Sequence, residues 1–371
     1  MTKDGSAASP AIPRRRPVLI TGGAGFIGSN LADRFASEGY DVLVYDALAR
    51  PGVDANLVWL KKRHPARISA VTADVRDEAA AAEAAKDAQA VFHMAAQVAV
   101  TTSLVSPRED FDINVRGTLN LLDALRKRTE PVPLIFASTN KVYGDLADIA
   151  LEKEGDAYVP LDPDIRSTGI GERRPLDFHT PYGCSKGAAD QYVLDYARSF
   201  GVPTCVLRMS CIYGQRQMGT EDQGWVAHFL IQALKGEPIS IYGDGCQVRD
   251  VLDISDAVQA YAAAWKKIGS IRGRAFNLGG GPENAISLKQ LVAHIETLIG
   301  RPVETNYSDW RAGDQRYYVS DTRLAARTLD LKKPVPWRQG VGALAQWLSE
   351  ERGLSLAPRE AIFSQAAEAV S

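Results

Sequence analysis

The chain has 371 residues, 45% of them hydrophobic and 24% charged, with a formal charge of −2. This is the balance of a globular protein built as one large or two closely joined domains. The near-neutral charge offers no basic footprint for nucleic acid and no broad attraction to an anionic membrane. The cysteines, Cys184, Cys205, Cys211 and Cys246, show no Cys-x-x-Cys spacing. No metal cage is expected from them, and they read as free thiols of a reducing compartment, the cytoplasm.

Residues 1–16 are polar and include Arg14, Arg15 and Arg16, without the apolar core of a signal peptide. They read as a disordered, solvated tail, and 354–371 as a second tail. No later run is long and apolar enough to span a bilayer. From Pro17 short apolar strands at 18–20, 42–45, 68–71, 91–94 and 134–137 alternate with helical stretches at 26–37, 56–63, 79–88 and 111–126. That rhythm predicts an α/β fold, a doubly wound parallel (Rossmann) sheet covered on both faces.

An Asp-, Pro-, Gly- and Arg-rich insertion, 146–178, then interrupts the pattern as an irregular excursion. It reads either as a functional lid or as a plain surface loop. A helix at 182–200 and a strand at 204–208 resume the sheet. Past Gly214 the alternation degrades into helices at 225–234, 287–298 and 341–350, with a strand at 239–242. The expected organisation is a main domain of 17–210 with 250–280 returning to it, and a smaller C-terminal substrate-binding lobe of 211–249 and 281–353.

Gly22, Gly25 and Gly28 follow the first strand and open a helix whose first residues are Phe26 and Ile27. Gly22 permits the tight turn, Gly25 lets the backbone approach a pyrophosphate, and Gly28 lets the helix lie close to the sheet. The spacing is G-x-x-G-x-x-G. Asp46, closing the second strand, suits the adenosine ribose hydroxyls and would repel a 2′-phosphate, which favours NAD over NADP, although Arg50 lies close by in sequence. Asp74 and Val75 follow the third strand. Two readings of Asp74 stand, a place near the adenine or the cap of the next helix. Ala95, just past 91–94, is assigned to the same cofactor site.

The run 178–186, Phe-His-Thr-Pro-Tyr-Gly-Cys-Ser-Lys, places Tyr182 and Lys186 one helical turn apart on one face. A secondary alcohol releases a hydride only as its proton leaves, so a base must reach the hydroxyl. A phenol titrates near 10, and a neighbouring ammonium or an oxidised nicotinamide favours the phenolate. Tyr182 is the candidate acid–base and Lys186 its electrostatic tuner and a ribose partner. Ser138 and Thr139, adjacent hydroxyls at the end of a strand, point to opposite sides, and the residues alone do not choose between them.

The glycine loop, Tyr182-x-x-x-Lys186 and the run 136–144, Phe-Ala-Ser-Thr-Asn-Lys-Val-Tyr-Gly, resemble the extended short-chain dehydrogenase/reductases, the NAD-dependent epimerase/dehydratase family acting on nucleotide sugars. The resemblance covers nearly all of 17–353. It implies Thr139, Tyr182 and Lys186 as the catalytic triad, NAD as the cofactor, and a homo-oligomer, a dimer or dimer of dimers, formed through the helices 111–126 and 182–200. An exposed apolar stripe there would be its sign.

The nucleotide-sugar 4,6-dehydratases of that family carry an acidic pair where this chain has Asn140 and Lys141, so dehydration is disfavoured. The segments 138–145, 175–192 and 210–214 with 222–225 resemble the CDP-paratose 2-epimerase branch more than the UDP-galactose 4-epimerases, in which an Asn usually stands at the place of Cys211. Gln215 departs from the Pro common after Tyr-Gly.

What the resemblance implies is inversion at C2 of a CDP-sugar through a transient 2-keto sugar. Arg249 and Arg311 match diphosphate anchors, with a surface ion pair to Asp250 or Asp314 as the other reading. Asn140, Lys141, Gln223 and Trp225 are substrate candidates, Trp225 equally a core residue. His93 and His179 read as structural. Other readings are a 4-epimerase or reductase of a UDP-, GDP- or dTDP-sugar, and a non-catalytic NAD sensor, which would need the glycine loop but not the triad.

Overall fold

The computed structural model describes residues 16–353. The tails expected at 1–16, apart from Arg16, and at 354–371 lie outside the described residues. Seven strands form the central sheet: β1 Val18–Thr21, β2 Val42–Asp46, β3 Ile68–Thr72, β4 Ala90–His93, β5 Leu134–Thr139, β6 Thr204–Met209 and β7 Arg274–Leu278. Their order is β7-β6-β5-β4-β1-β2-β3, every pairing parallel. β1, β4 and β5 are buried along their whole length, the pattern of strands covered on both faces.

Leu31 and Phe35 of the helix Phe26–Ser37 and Tyr261 of Ile254–Lys266 fill one side of the sheet. Leu121, Leu122 and Leu125 of Gly117–Arg126, with Val193 and Tyr196 of Thr180–Ser199, fill the other. The strand order reverses between β1 and β4, and a crevice opens there beyond the carboxyl ends of the strands. Thr21, Asp46, His93 and Thr139 all stand at those ends.

Three expectations need correction. The helix expected over 111–126 begins at Pro107–Phe111 and passes through a π turn, Asp112–Arg116, before Gly117–Arg126. The Gly117 N–H reaches back five residues to the Asp112 carbonyl. Gly117 also lies against Val75, where a Cβ would come within 2.7 Å of a Val75 methyl.

The insertion 146–178 is not irregular. It holds an antiparallel hairpin, Leu151–Glu154 with Ala157–Pro160, and a short helix, Pro163–Thr168. Nor is it a lid, because none of its residues lines the central cavity. It clasps the lobe instead. The Tyr158 hydroxyl donates to Asp244 at 2.7 Å, the Ile170 N–H to Val319 O at 2.7 Å, and Asn277 Nδ2 of β7 to Ile170 O at 2.8 Å.

In the lobe, Val248–Asp253 joins Cys211–Tyr213, Ala285–Ser287 and Tyr317–Tyr318, while Ile239–Tyr242 pairs with Thr305–Ser308. Leu230, Leu291, Ile295 and Leu344 lie in its core. The strand of 248–253 pairs within the lobe, while its Leu252 packs in the core of the central sheet. We place the return to the main domain at Asp253, whose carboxylate caps the helix Ile254–Lys266, rather than at 250. Ala325 and Leu329, expected in the lobe, join the core under the central sheet.

Candidate active site

The glycine loop is built for close approach. Gly22 has φ of 65°, and a Cβ on it would lie 2.7 Å from the Ala95 nitrogen. A Cβ on Gly28 would collide with the Gly22 carbonyl oxygen and lie 2.7 Å from Gly23 Cα. The helix Phe26–Ser37 opens at Gly25 with no side-chain cap, so its first N–H groups face the cavity bare. These features fit the pyrophosphate of NAD.

The Asp46 carboxylate accepts the Ala24 N–H at 2.9 Å and the Leu48 N–H at 2.9 Å, which fixes its orientation beside the loop and leaves lone pairs for hydroxyl donors. Arg50 lines the same wall, its pKa lowered by burial and supported by Asp46. Asp74 is clamped by Arg76 at 3.0 and 2.7 Å, which holds its carboxyl below the usual range. It is not the helix cap; Asp77 is, accepting the Ala80 N–H at 3.0 Å. Val75 is buried at the cavity wall.

At the end of β5 the two hydroxyls separate. Ser138 turns inward and donates to Asp190 at 2.7 Å. Thr139 faces the cavity beside Tyr182, accepts the Lys141 N–H at 3.2 Å and donates to Asn140 Oδ1 at 3.3 Å. Tyr182 and Lys186 share the buried face of Thr180–Ser199. The Tyr182 N–H donates to Ser103 Oγ at 3.2 Å, and Lys186 Nζ donates to Ala137 O at 2.6 Å from 4.2 Å over the Phe136 ring.

Burial pulls Lys186 down to about 7, opposed by the negative charges of Asp190 and Asp110. Burial pushes Tyr182 up to about 12, outweighing the opposing influence of the Thr139 hydroxyl. The expected lowering of the phenol by Lys186 is thus reversed in the protein alone. Desolvation dominates, and a phenolate there needs a further positive charge.

The other end of the cavity carries three cations, each beside a carboxylate. Arg249 donates to Asp314 at 2.6 Å and to Val248 O at 2.8 Å. Lys141 donates to Gly313 O at 3.0 Å and lies 3.8 Å from the same Asp314 oxygen. Burial lowers Lys141 to about 8 against the pull of Asp314. Arg311 stacks 3.8 Å over the Tyr242 ring, near Glu221 and Asp222 rather than Asp314. Asn140 is turned toward Gln315 at 3.3 Å. Trp225 both lines the cavity and meets Phe229 edge-on at 5.7 Å, and Gln223 lies at the rim in a bridge with Thr220.

One cavity of about 980 Å³ brings together every candidate: Gly22, Gly25, Phe26, Ile27, Gly28, Asp46, Asp74, Val75, Ala95, Thr139, Asn140, Lys141, Tyr182, Lys186, Gln223, Trp225, Arg249 and Arg311. Sequence reasoning missed Ser103, Asp110, Asn114, Asp190, Tyr242 and Gln315, whereas Asp314, named as an ion-pair partner, does pair with Arg249. Of the missed residues only Asp190 carried a signal, standing one turn beyond Lys186 in the same row of the helix. His179 lies apart, beside Asp145 and Asp177.

The model of the NAD dependent epimerase/dehydratase family matches residues 18–279. The chain is 42% identical to the CDP-paratose 2-epimerase of Salmonella typhi over 90% of its length and 99% of that protein. Its fold is similar to the UDP-glucose 4-epimerase of Thermotoga maritima solved with UDP-glucose (TM-score 0.78, 28% identity, covering 91% and 99% of the two chains). It is also similar to the UDP-glucuronic acid 4-epimerase of Bacillus cereus solved with UDP-glucuronic acid and NAD (TM-score 0.77, 26% identity, covering 90% and 99%). The glycine cradle, the Tyr182–Lys186 pair and these likenesses agree: the chain belongs to the NAD-dependent epimerase/dehydratase family.

Proposed function

We propose that this epimerase inverts C2 of a CDP-sugar, interconverting CDP-paratose and CDP-tyvelose. The observation that carries the reading is the end of β5, where Thr139 faces the cavity with Tyr182 and the following residues are Asn140 and Lys141. The nearby carboxylate, Asp314, is engaged by Arg249 at 2.6 Å and lies 3.8 Å from Lys141 Nζ. Tyr182 is then the group that moves protons, which suits oxidation and reduction but not elimination of water. The likeness to the Salmonella enzyme supports the nucleotide and the carbon.

The C–H of an ordinary sugar carbon is not acidic, so inversion must go through the ketone. NAD, held by Gly22, Gly25, Gly28 and Asp46, supplies the hydride acceptor and donor and, when oxidised, a positive charge. Tyr182 takes the proton of the sugar hydroxyl and later returns it. Thr139 orients that hydroxyl, and the Lys186 ammonium favours the phenolate. Arg249 and Arg311 grip the diphosphate with planar donors while the flat keto sugar turns between them and Tyr182. One cavity of about 980 Å³ holds the arginines and Tyr182 and gives the sugar room to do so.

The deciding experiment is proton NMR of the protein with CDP-paratose in heavy water and no added cofactor. CDP-tyvelose without deuterium at C2 establishes internal hydride transfer. No conversion by NAD-loaded protein sinks the assignment, and a 4-epimerase or reductase of a UDP-, GDP- or dTDP-sugar, favoured by the fold's likeness to the Thermotoga enzyme, is then tested in turn. We also assign the protein to the cytoplasm, on its unpaired thiols, and to a homodimer. Leu104, Val105, Phe111, Tyr192 and Phe200 leave large apolar side chains exposed on and beside the helices named for that contact.

A further inference from the structure

We propose that His93 is a positioning residue that ties the NAD-binding loop to the helix of Tyr182 and Lys186, and that it does so as the neutral tautomer with its proton on Nε2. The inference rests on the NAD-dependent family and not on the identity of the sugar. His93 ends β4, is 1% exposed, and was left without a role by the chemistry above.

A run of five polar groups crosses the domain through this ring. The Ala95 N–H donates to Thr21 Oγ1 at 3.3 Å, and Thr21 Oγ1 lies 2.7 Å from His93 Nδ1. His93 Nε2 lies 2.9 Å from Thr118 Oγ1, which donates to the Asn114 carbonyl at 2.6 Å. The last link sets the direction of the rest. A carbonyl only accepts, so the Thr118 proton is spent on Asn114 and its oxygen must accept from Nε2–H. His93 Nδ1 then presents a lone pair and accepts the Thr21 hydroxyl. That leaves the Thr21 oxygen to receive the Ala95 N–H. Every donor in the run points the same way.

One end of the run lines the cavity at Ala95 and the other adjoins the helix of Tyr182 and Lys186. Thr21 and Ala95 flank Gly22, whose cradle admits no side chain. At the far end Asn114 sits in the π turn, accepts the Gln97 N–H at 3.0 Å and donates to Ser185 Oγ at 3.0 Å, the residue before Lys186. Asn114 Nδ2 also meets Gln97 O at 3.1 Å and Asp110 Oδ1 at 3.2 Å. A second protonation of the ring would take away the acceptor of the Thr21 hydroxyl and force it to turn. Burial and the Lys186 charge, the one charged group acting on the ring, both hold it neutral, down to about 3. His93 is therefore a fixed strut and not a proton carrier.

The test uses nitrogen NMR of the labelled full-length protein, with the His93 resonance assigned by its loss in His93→Gln. Expected are a protonated Nε2, a bare Nδ1 and no titration between about pH 5 and 9. Thr118→Val removes the acceptor while keeping the shape, and it should weaken NAD retention through gel filtration about tenfold, with Thr118→Ser restoring it. On a turned-over sugar the same variant should lower kcat and spare KM. A proton on Nδ1, a titrating ring, or a Thr118→Val protein that loses only thermal stability overturns the proposal. Tautomer and NAD retention need no sugar, so failure of the CDP-paratose assignment leaves this test intact.

Discussion

Lys186 Nζ donates to the carbonyl oxygen of Ala137 at 2.6 Å, so the ammonium is anchored to the strand that carries Thr139 two residues on. Asp190, one turn further along the Tyr182 helix, accepts Ser138 at 2.7 Å and is gripped by Arg208 at 3.0 and 2.9 Å. Helix and strand are thereby stitched at two successive turns. The proposed triad is held by a wall of buried polar bonds.

Replacing Tyr182 by Phe removes the proton-transferring oxygen and keeps the ring. Turnover should fall by about 10²–10⁴-fold, the range for losing a general acid–base. The bound NAD should stay, measured as cofactor released on denaturation. Turnover near that of the unaltered protein would remove Tyr182 from the chemistry.

Lys186 gives a pH signature in stability. Its folded pKa, about 7, lies below the ordinary value of 10.5. Below about pH 7 the lysine is charged in both states, and the full penalty of burying that charge weighs on the fold. As pH rises from 7 toward 10.5 the folded state sheds the proton first, and the penalty fades. Lys186→Met carries no such penalty. Denaturation of the two proteins at matched pH should therefore show the unaltered chain gaining on Lys186→Met between about pH 7 and 10. A flat or opposite difference would mean that Asp110 and Asp190 already compensate the charge.

The doubly wound sheet and glycine loop were legible because buried parallel strands read as uninterrupted apolar runs and Gly-x-x-Gly-x-x-Gly has a steric cause at each position. Tyr182 and Lys186 were legible as a helical row. The choice of Thr139 over Ser138 was not, since it rests on Asp190 drawing Ser138 inward, a contact across 52 residues. The hairpin of the insertion had a local signal that composition obscured, Gly155-Asp156 between two short strands, with Gly155 at φ of 57°. The direction of the Tyr182 shift was hidden for another reason. Spacing reports which charges are near, while desolvation depends on the whole surrounding fold.

Gly28→Ala tests the loop as a cradle. The new methyl must push the Gly22 carbonyl or the Phe26–Ser37 helix, an overpacking of about 1–3 kcal/mol. The purified variant should carry little NAD and melt lower. Gly269→Ala is the control, with nothing within 4 Å of its added methyl and no left-handed φ. A Gly28→Ala protein that keeps full NAD would mean that the helix can lift away from the loop without cost to the cofactor.

The proposed dimer rests on apolar side chains that the described chain leaves in solvent. Val105 is 85% exposed and Phe111 53%, at the ends of two short helices packed against Thr180–Ser199. Tyr192 and Phe200, on and at the end of that helix, are exposed as well. A stable protein interface of about 1,600 Å² is dominated by a few large apolar anchors, and a desolvated carboxylate among them is costly. Sedimentation of the unaltered protein should therefore report about twice the 40.2 kDa of one chain. Val105→Asp with Phe111→Glu should sediment as one chain, with the fold kept because both residues already face water. Both lie on the two short helices, the first of which bonds the Tyr182 N–H through Ser103, so the monomer should also show whether dimerisation steadies the site. An unaltered protein that sediments as a single chain would remove the dimer and leave the stripe as surface.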